Sequence, residues 1–145
     1  MFLTPAAQIG AVIMTLVCVF AWWSGGRPQR LIAGIAFVAW VASAAIQDRS
    51  FRNPQYATFV LDLVLLGIFL AFALHWRRPW LNWVAAFQSL TMATHIAAMM
   101  DRRIWPLASI TAYMIWSYLT LAAIAWGGVE ALIERRRAAR STTAP

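Results

Sequence analysis

Residues 54–76 read PQYATFVLDLVLLGIFLAFALHW, an apolar run that contains one acidic side chain, Asp62, and no Lys or Arg. About 20 consecutive apolar residues in a helix cross the roughly 30 Å hydrocarbon core of a bilayer. In lipid every backbone N–H and C=O group must be bonded within its own segment, which favours a helix for a run of this length. The stretch therefore predicts a transmembrane helix and decides the fold class of the chain.

Four further apolar runs of similar length flank this one, with only short polar connectors between them. We predict an all-α integral membrane protein, a bundle of five transmembrane helices with short connectors that occupies residues 1–129. A proline falls at or near the start of each run, where its missing N–H costs nothing. The expected helices lie at about 5–23, 30–47, 54–76, 80–100 and 104–128, and a basic cytoplasmic tail follows at 130–145.

The composition excludes a soluble globular domain. Of the 145 residues, 62% are hydrophobic and 12% are charged, with a mean hydropathy of +0.66. Soluble domains are nearer 45–50% apolar and about 25% charged. Disorder is excluded as well, because low hydrophobicity is what keeps a chain unfolded. The net charge of +7 does not predict a nucleic-acid partner, since the arginines lie between apolar runs and not on one face.

The arginines predict an orientation. An odd number of spans places the termini on opposite sides, so the connectors fall into two alternating sets with eight and four arginines. The positive-inside rule makes the first set cytoplasmic and predicts an inner (plasma) membrane protein with its N-terminus outside. The first span has no basic residues before it, which is typical of a retained helix and not of a signal peptide. The first set is Arg27, Arg30, Arg77, Arg78, Arg135, Arg136, Arg137 and Arg140; the second is Arg49, Arg52, Arg102 and Arg103.

Several residues near the cytoplasmic end are assigned structural roles. The glycine pairs at 25–26 and 127–128 are expected at helix ends, as turns or C-caps. The tail is expected to extend the last helix by about two turns, with Glu134 and Arg137 paired at i,i+3, and then to become irregular. Its arginines act either as a topology signal or by attracting anionic lipids. An aromatic belt is predicted at this interface from Trp22, Trp23, Trp76, Trp80 and Trp126.

We expect a functional site to be formed by polar residues that face the interior of the bundle. Asp62 lies six residues after Tyr56, where the third helix begins, and His95 lies six residues before Asp101, where the fourth helix ends. Both residues are therefore at about 9 Å from the same interface, at 1.5 Å of rise per residue. A shared depth is what pairing of an aspartate with a histidine requires.

Helical spacing adds further members to this candidate intramembrane polar cluster. Gln88, Thr91 and His95 are three and four residues apart, which puts them on one face of the fourth helix. Ser109 and Tyr113 on the fifth helix fall near the depth of His95. The predicted cluster comprises Asp62, Gln88, Thr91, His95, Ser109 and Tyr113.

The sequence does not predict an enzyme, a metal site or a cofactor. Two facing histidines would be needed to hold a haem iron, but His75 lies at the opposite interface from His95. A metal centre requires three or four ligands, and Asp62 and His95 supply two. The single cysteine, Cys18, lies in an apolar run and is expected to pack as a small hydrophobic residue.

Three functions remain open. The first is a structural or accessory protein that acts through helix contacts in a homo-oligomer or with a membrane-protein partner. In that case Asp62 and His95 hold helices together. The second is a small transporter or channel subunit in which the same two residues form a proton or ion site. The third is a holin-like protein that permeabilises the membrane, which small size and a basic tail also fit.

Overall fold

The computed structural model describes residues 5–46, 56–100 and 106–142, and these residues form five α-helices. The all-helical prediction is confirmed. The described bounds of the first four helices lie within about three residues of the predicted ones, whereas α5 ends 14 residues later than predicted. The helices are α1 (Pro5–Ser24), α2 (Arg27–Ile46), α3 (Tyr56–Trp76), α4 (Pro79–Met100) and α5 (Pro106–Thr142). Arg49, Arg52, Arg102 and Arg103 lie outside the described residues.

Three of these helices are long and apolar enough to cross a membrane, namely Arg27–Ile46, Tyr56–Trp76 and Leu107–Ser141. The described apolar part of α1, Gln8–Ser24, is shorter. Helix α4 is long enough, but Gln88, Thr91 and His95 reduce its hydropathy. These three side chains are buried and face the neighbouring helices. Its outward face carries large apolar residues such as Trp83 and Ile96.

The packing order places α4 between α3 and α5. Helix α5 also packs against α1 and α2, and α2 contacts α3. Large side chains and alanines fill the interior together, since small residues let the helix backbones approach. The most buried large residues are Trp80, Phe69, Ile32, Leu81, Ile124 and Val84. Cys18 is buried, as its apolar surroundings in the sequence predict.

One end of the bundle, here called the basic end, joins the 25–26 connector, the 77–78 connector and the final part of α5. Arg78 forms ion pairs with Glu130, at 3.6 Å between Nη1 and Oε1, and with Glu134. Hydrogen bonding to Glu134 raises the pKa of the Arg78 guanidinium above its usual value. Arg135 donates to the Gly25 carbonyl at 3.0 Å. A cation at this position is favourable because α1 ends there and its last carbonyls lack helical partners.

Helix α5 does not end where the sequence suggests. It runs without interruption through Gly127 and Gly128 to Thr142, so the prediction that this glycine pair caps the helix is wrong. The pair instead permits close packing. A Cβ on Gly127 would lie 2.6 Å from Trp80 Cδ2, and one on Gly128 would lie 2.8 Å from Ser24 Oγ. Helix α5 is also longer than the two-turn extension expected for the tail.

Two other expectations at the basic end are corrected. Glu134 pairs with Arg78 in the connector before α4, so its carboxylate joins two distant segments, and the expected pairing with Arg137 along one helix is not observed. Trp80 is 1% exposed and packs inside the bundle, so it cannot belong to an aromatic belt. Trp23 and Trp126 are 74% and 60% exposed, as belt residues must be.

Candidate functional site

Asp62 provides the carboxylate at the centre of a hydrogen-bonded network between α3, α4 and α5. It lies six residues into α3 and follows an exposed residue, Val60, by about half a turn. Its side chain is 18% exposed, so the carboxylate is mostly shielded but is not sealed. An unpartnered carboxylate here would carry a large desolvation cost, which hydrogen-bond donors must offset.

His95 supplies the closest partner. Its Nε2 atom is 2.9 Å from Asp62 Oδ2, and its side chain is 8% exposed. On the other side of the ring, Nδ1 is 3.1 Å from the Tyr113 hydroxyl. Since α4 packs between α3 and α5, the imidazole uses one ring nitrogen toward each neighbouring helix.

The donor and acceptor roles follow from the chemistry of the groups. An ionised Asp62 only accepts, so the proton between it and His95 belongs to Nε2. In a neutral imidazole Nδ1 is then the acceptor, and Tyr113 donates its O–H to it. A second arrangement exists when the ring is protonated, because Nδ1–H then donates to the Tyr113 oxygen. Protonation of the ring would therefore reverse the hydrogen bond between His95 and Tyr113.

Gln88 fixes the second carboxylate oxygen. Its Nε2 atom donates to Asp62 Oδ1 at 3.0 Å and lies 3.3 Å from the Asp62 backbone carbonyl. Gln88 and His95 are seven residues apart, which is two helical turns, and they reach Asp62 from either side along α4. The carboxylate thus has a donor on each oxygen.

The structure brings together four of the six residues in the predicted cluster: Asp62, Gln88, His95 and Tyr113. Thr91 lies on the correct face and is buried, but its hydroxyl donates to the Phe87 carbonyl at 3.2 Å. Threonine commonly bonds back to its own helix in this way. Ser109 is half-buried and makes no hydrogen bond to Asp62, His95 or Tyr113 in the described part of the chain.

Two aromatic rings contact the imidazole, and only one of them, Tyr113, was predicted from the sequence. The Phe59 ring meets His95 edge-on, with centroids 6.0 Å apart and planes at 78°. The Tyr113 ring lies 4.6 Å from the imidazole at 38°. Phe59 is three residues before Asp62, so helical spacing could have placed it on the same face.

A second polar contact joins α4 and α5 beside the network. Trp116 donates its indole N–H to the Thr94 hydroxyl at 3.1 Å, and that hydroxyl donates to the Leu90 carbonyl at 2.9 Å. Nothing in the sequence signals this pair, because threonine and tryptophan are also common at lipid-facing positions. The contact orients α5 next to Tyr113.

No group of three or more His, Cys, Asp or Glu residues that could hold a metal ion occurs within residues 5–46, 56–100 and 106–142. His75 is exposed at the basic end and stacks edge-on against Trp76 at 5.2 Å. Thirteen residues of α3 separate it from Asp62, or about 20 Å along the helix. The two histidines therefore belong to separate environments.

A groove of about 310 Å³ lies between α2 and α3. Its lining is apolar and offers no group that could bind or pass an ion. Gly34, Ile35, Val38, Ala39 and Ala42 form one wall, and Leu61, Val64, Leu65 and Ile68 form the other. The polar chemistry of the described bundle is thus concentrated in the Asp62–His95–Tyr113 network and at the basic end.

Comparison of the chain with protein-family models, with curated proteins and with solved structures finds no match.

Proposed function

We propose that this chain is a five-span protein of the inner membrane, in which the Asp62–His95–Tyr113 network binds and releases a proton. Membrane placement is supported by the outward faces of the helices. On α1 the exposed residues Ile9, Val12, Leu16 and Val19 follow helical spacing, and each is more than half exposed. A stripe of this kind is unfavourable in water and favourable against lipid.

The observation that carries the proton site is the 2.9 Å contact between Asp62 and His95, with Tyr113 on the opposite ring nitrogen. Aspartate and histidine within membrane spans are typical of proton paths. In the proposed site, reversing the hydrogen bond between Tyr113 and His95 accommodates the added proton. Asp62 is the more exposed of the pair, which makes it the side at which protons enter or leave.

Direct detection of proton binding tests this proposal. The full-length protein, reconstituted in lipid, is titrated from about pH 5 to pH 8, the range in which histidine normally changes charge. We expect the His95 imidazole NMR signals to change over this range in a way that Asp62→Asn alters and His95→Gln abolishes. Glu130→Gln is the control, since it removes a carboxylate at the basic end. A network that does not titrate, or a signal unchanged in these variants, contradicts the proposal.

A second candidate function is a structural or accessory role in an oligomer or a larger membrane complex. It is favoured by the satisfaction of both Asp62 oxygens within the network, which joins α3, α4 and α5. Breaking a buried pair by removing one partner costs about 3–5 kcal/mol. This role predicts that Asp62→Ala prevents accumulation in the membrane, while Asp62→Asn and His95→Gln accumulate and function normally. Loss of function in well-folded isosteric variants instead favours the proton site.

A further inference from the structure

The last part of α5 extends beyond the rest of the bundle. Ala131 is its last buried residue, and the described side chains from Ile133 to Ser141 are all exposed. Ten residues of helix from Ala131 to Ser141 rise by about 15 Å.

The charges of the basic end are not equivalent. Both glutamates, Glu130 and Glu134, form ion pairs with Arg78, and Arg135 donates a hydrogen bond to the Gly25 carbonyl. The side chains of Arg136 and Arg137 are exposed and make no hydrogen bond or ion pair with any other described residue. At 100° per residue they lie on the face opposite the buried Ala131, on either side of the exposed Ile133. Two unneutralised guanidinium groups thus stand beside an exposed apolar side chain.

The depth of these two groups is set by Trp126. Twenty residues from Leu107 to Trp126 span about 30 Å, so the exposed Trp126 indole falls at the membrane interface in the proposed placement. Arg136 follows Trp126 by ten residues, or about 15 Å. Helical side chains tilt back toward the N-terminus, which here means toward the bilayer. The headgroup layer extends about 5–7 Å beyond the hydrocarbon core, so these long side chains bring the guanidinium groups to its outer edge.

We propose that Arg136 and Arg137 form a binding site for the phosphate of an anionic phospholipid headgroup. A guanidinium donates two parallel hydrogen bonds to a phosphate, and each basic residue near an anionic surface strengthens binding. A zwitterionic headgroup carries its own cation and is attracted less. The site rests on the proposed membrane placement but does not depend on the proton network.

The test compares full-length variants in a neutral detergent. Phosphatidylglycerol is titrated in, and the rise in unfolding temperature gives an apparent Kd, with phosphatidylcholine of the same acyl chains as the reference lipid. We expect the double substitution Arg136→Gln and Arg137→Gln to weaken phosphatidylglycerol binding about thirtyfold, because two arginines contribute about 2 kcal/mol. The control Arg27→Gln and Arg77→Gln removes the same charge from the same end and should leave the Kd unchanged.

The other outcomes overturn the proposal in distinguishable ways. Equal weakening in both double variants indicates a diffuse charge effect and not a site. Equal stabilisation by phosphatidylcholine indicates apolar contact alone, and equal stabilisation by inorganic phosphate indicates a site for free anions. Failure of the membrane placement itself is recognised separately, because the protein would then be released from membranes by alkaline carbonate.

Discussion

The ring of Trp80 occupies the space in which a side chain at position 127 would begin. A Cβ built on Gly127 lies 2.6 Å from Cδ2, 2.8 Å from Cε2 and 2.9 Å from Cε3 of the indole. Trp80 is buried, and its Nε1–H has no hydrogen-bond partner among the described residues. The indole is therefore held by its fit against the α5 backbone and not by a polar contact.

Gly127→Ala should consequently destabilise the protein. Neither the indole nor the α5 backbone can move aside cheaply, and overpacking of this kind costs about 1–3 kcal/mol. Thermal unfolding in detergent measures the loss. The matched control is Gly67→Ala, because a Cβ on Gly67 meets nothing within 4 Å. Equal unfolding temperatures for the two variants would show that α4 and α5 are not packed this closely.

Tyr113→Phe should change the state of His95 specifically. The substitution keeps the ring and removes the hydroxyl, so His95 Nδ1 loses its partner at a cost of about 1 kcal/mol. The ¹⁵N NMR signals of the imidazole should shift, while those of His75, at the far end of α3, should stay in place. Tyr118→Phe is the control, since the Tyr118 hydroxyl forms no hydrogen bond to another described residue. Unchanged His95 signals in Tyr113→Phe would contradict the network.

Arg77 has a backbone φ of 49°, in the left-handed region that favours glycine. Its N–H donates to the Ala73 carbonyl at 3.0 Å, and the residue directly follows the last residue of α3. Arg77→Gly should therefore stabilise the protein relative to Arg77→Ala by up to about 1 kcal/mol, because both remove the charge and only glycine relieves the strain. The comparison is made by thermal unfolding. A less stable glycine variant would mean that the left-handed conformation is not maintained.

Whether α4 crosses the membrane can be tested directly, since its polar residues reduce its hydropathy. If α4 crosses, a reporter that is active only outside the cytoplasm should be silent when fused after Arg78 and active when fused after Arg103. The burial of Gln88 and His95 against neighbouring helices is the reason to expect a crossing. The same reporter after Pro145 should be silent. Matching results at Arg78 and Arg103 would remove α4 from the spanning helices.

The helices were predictable because hydrophobic length and proline position act locally. The pairing of Asp62 with His95 was also accessible, since rise per residue converts sequence position into depth along a helix. Tyr113 followed from its depth on α5, but depth alone could not exclude Ser109. Thr91 lies on the predicted face but outside the hydrogen-bonded network, because its short hydroxyl side chain bonds to a carbonyl of its own helix.

The predictions that were wrong at the basic end concern residues whose positions depend on contacts between distant segments. Adjacent glycines before a charged run are typical of a helix end, and only the approach of Trp80 explains why Gly127 lies inside α5. Gln29 carries no signal in the sequence, although it is buried, donates to the Gly127 carbonyl at 3.2 Å and accepts from the Gly26 N–H at 3.1 Å. Such a role depends on which helix lies opposite, and the sequence of one helix does not contain that information.

The continuity of α5 has a mechanical consequence. An α-helix does not shorten under small loads, and 22 residues, or about 33 Å, connect Tyr113 to Arg135 within one element. Any sliding of α5 along its axis at the imidazole is therefore the same sliding at the Gly25 carbonyl. Tyr113 and Arg135, the α5 members of the two polar regions, therefore move along that axis together.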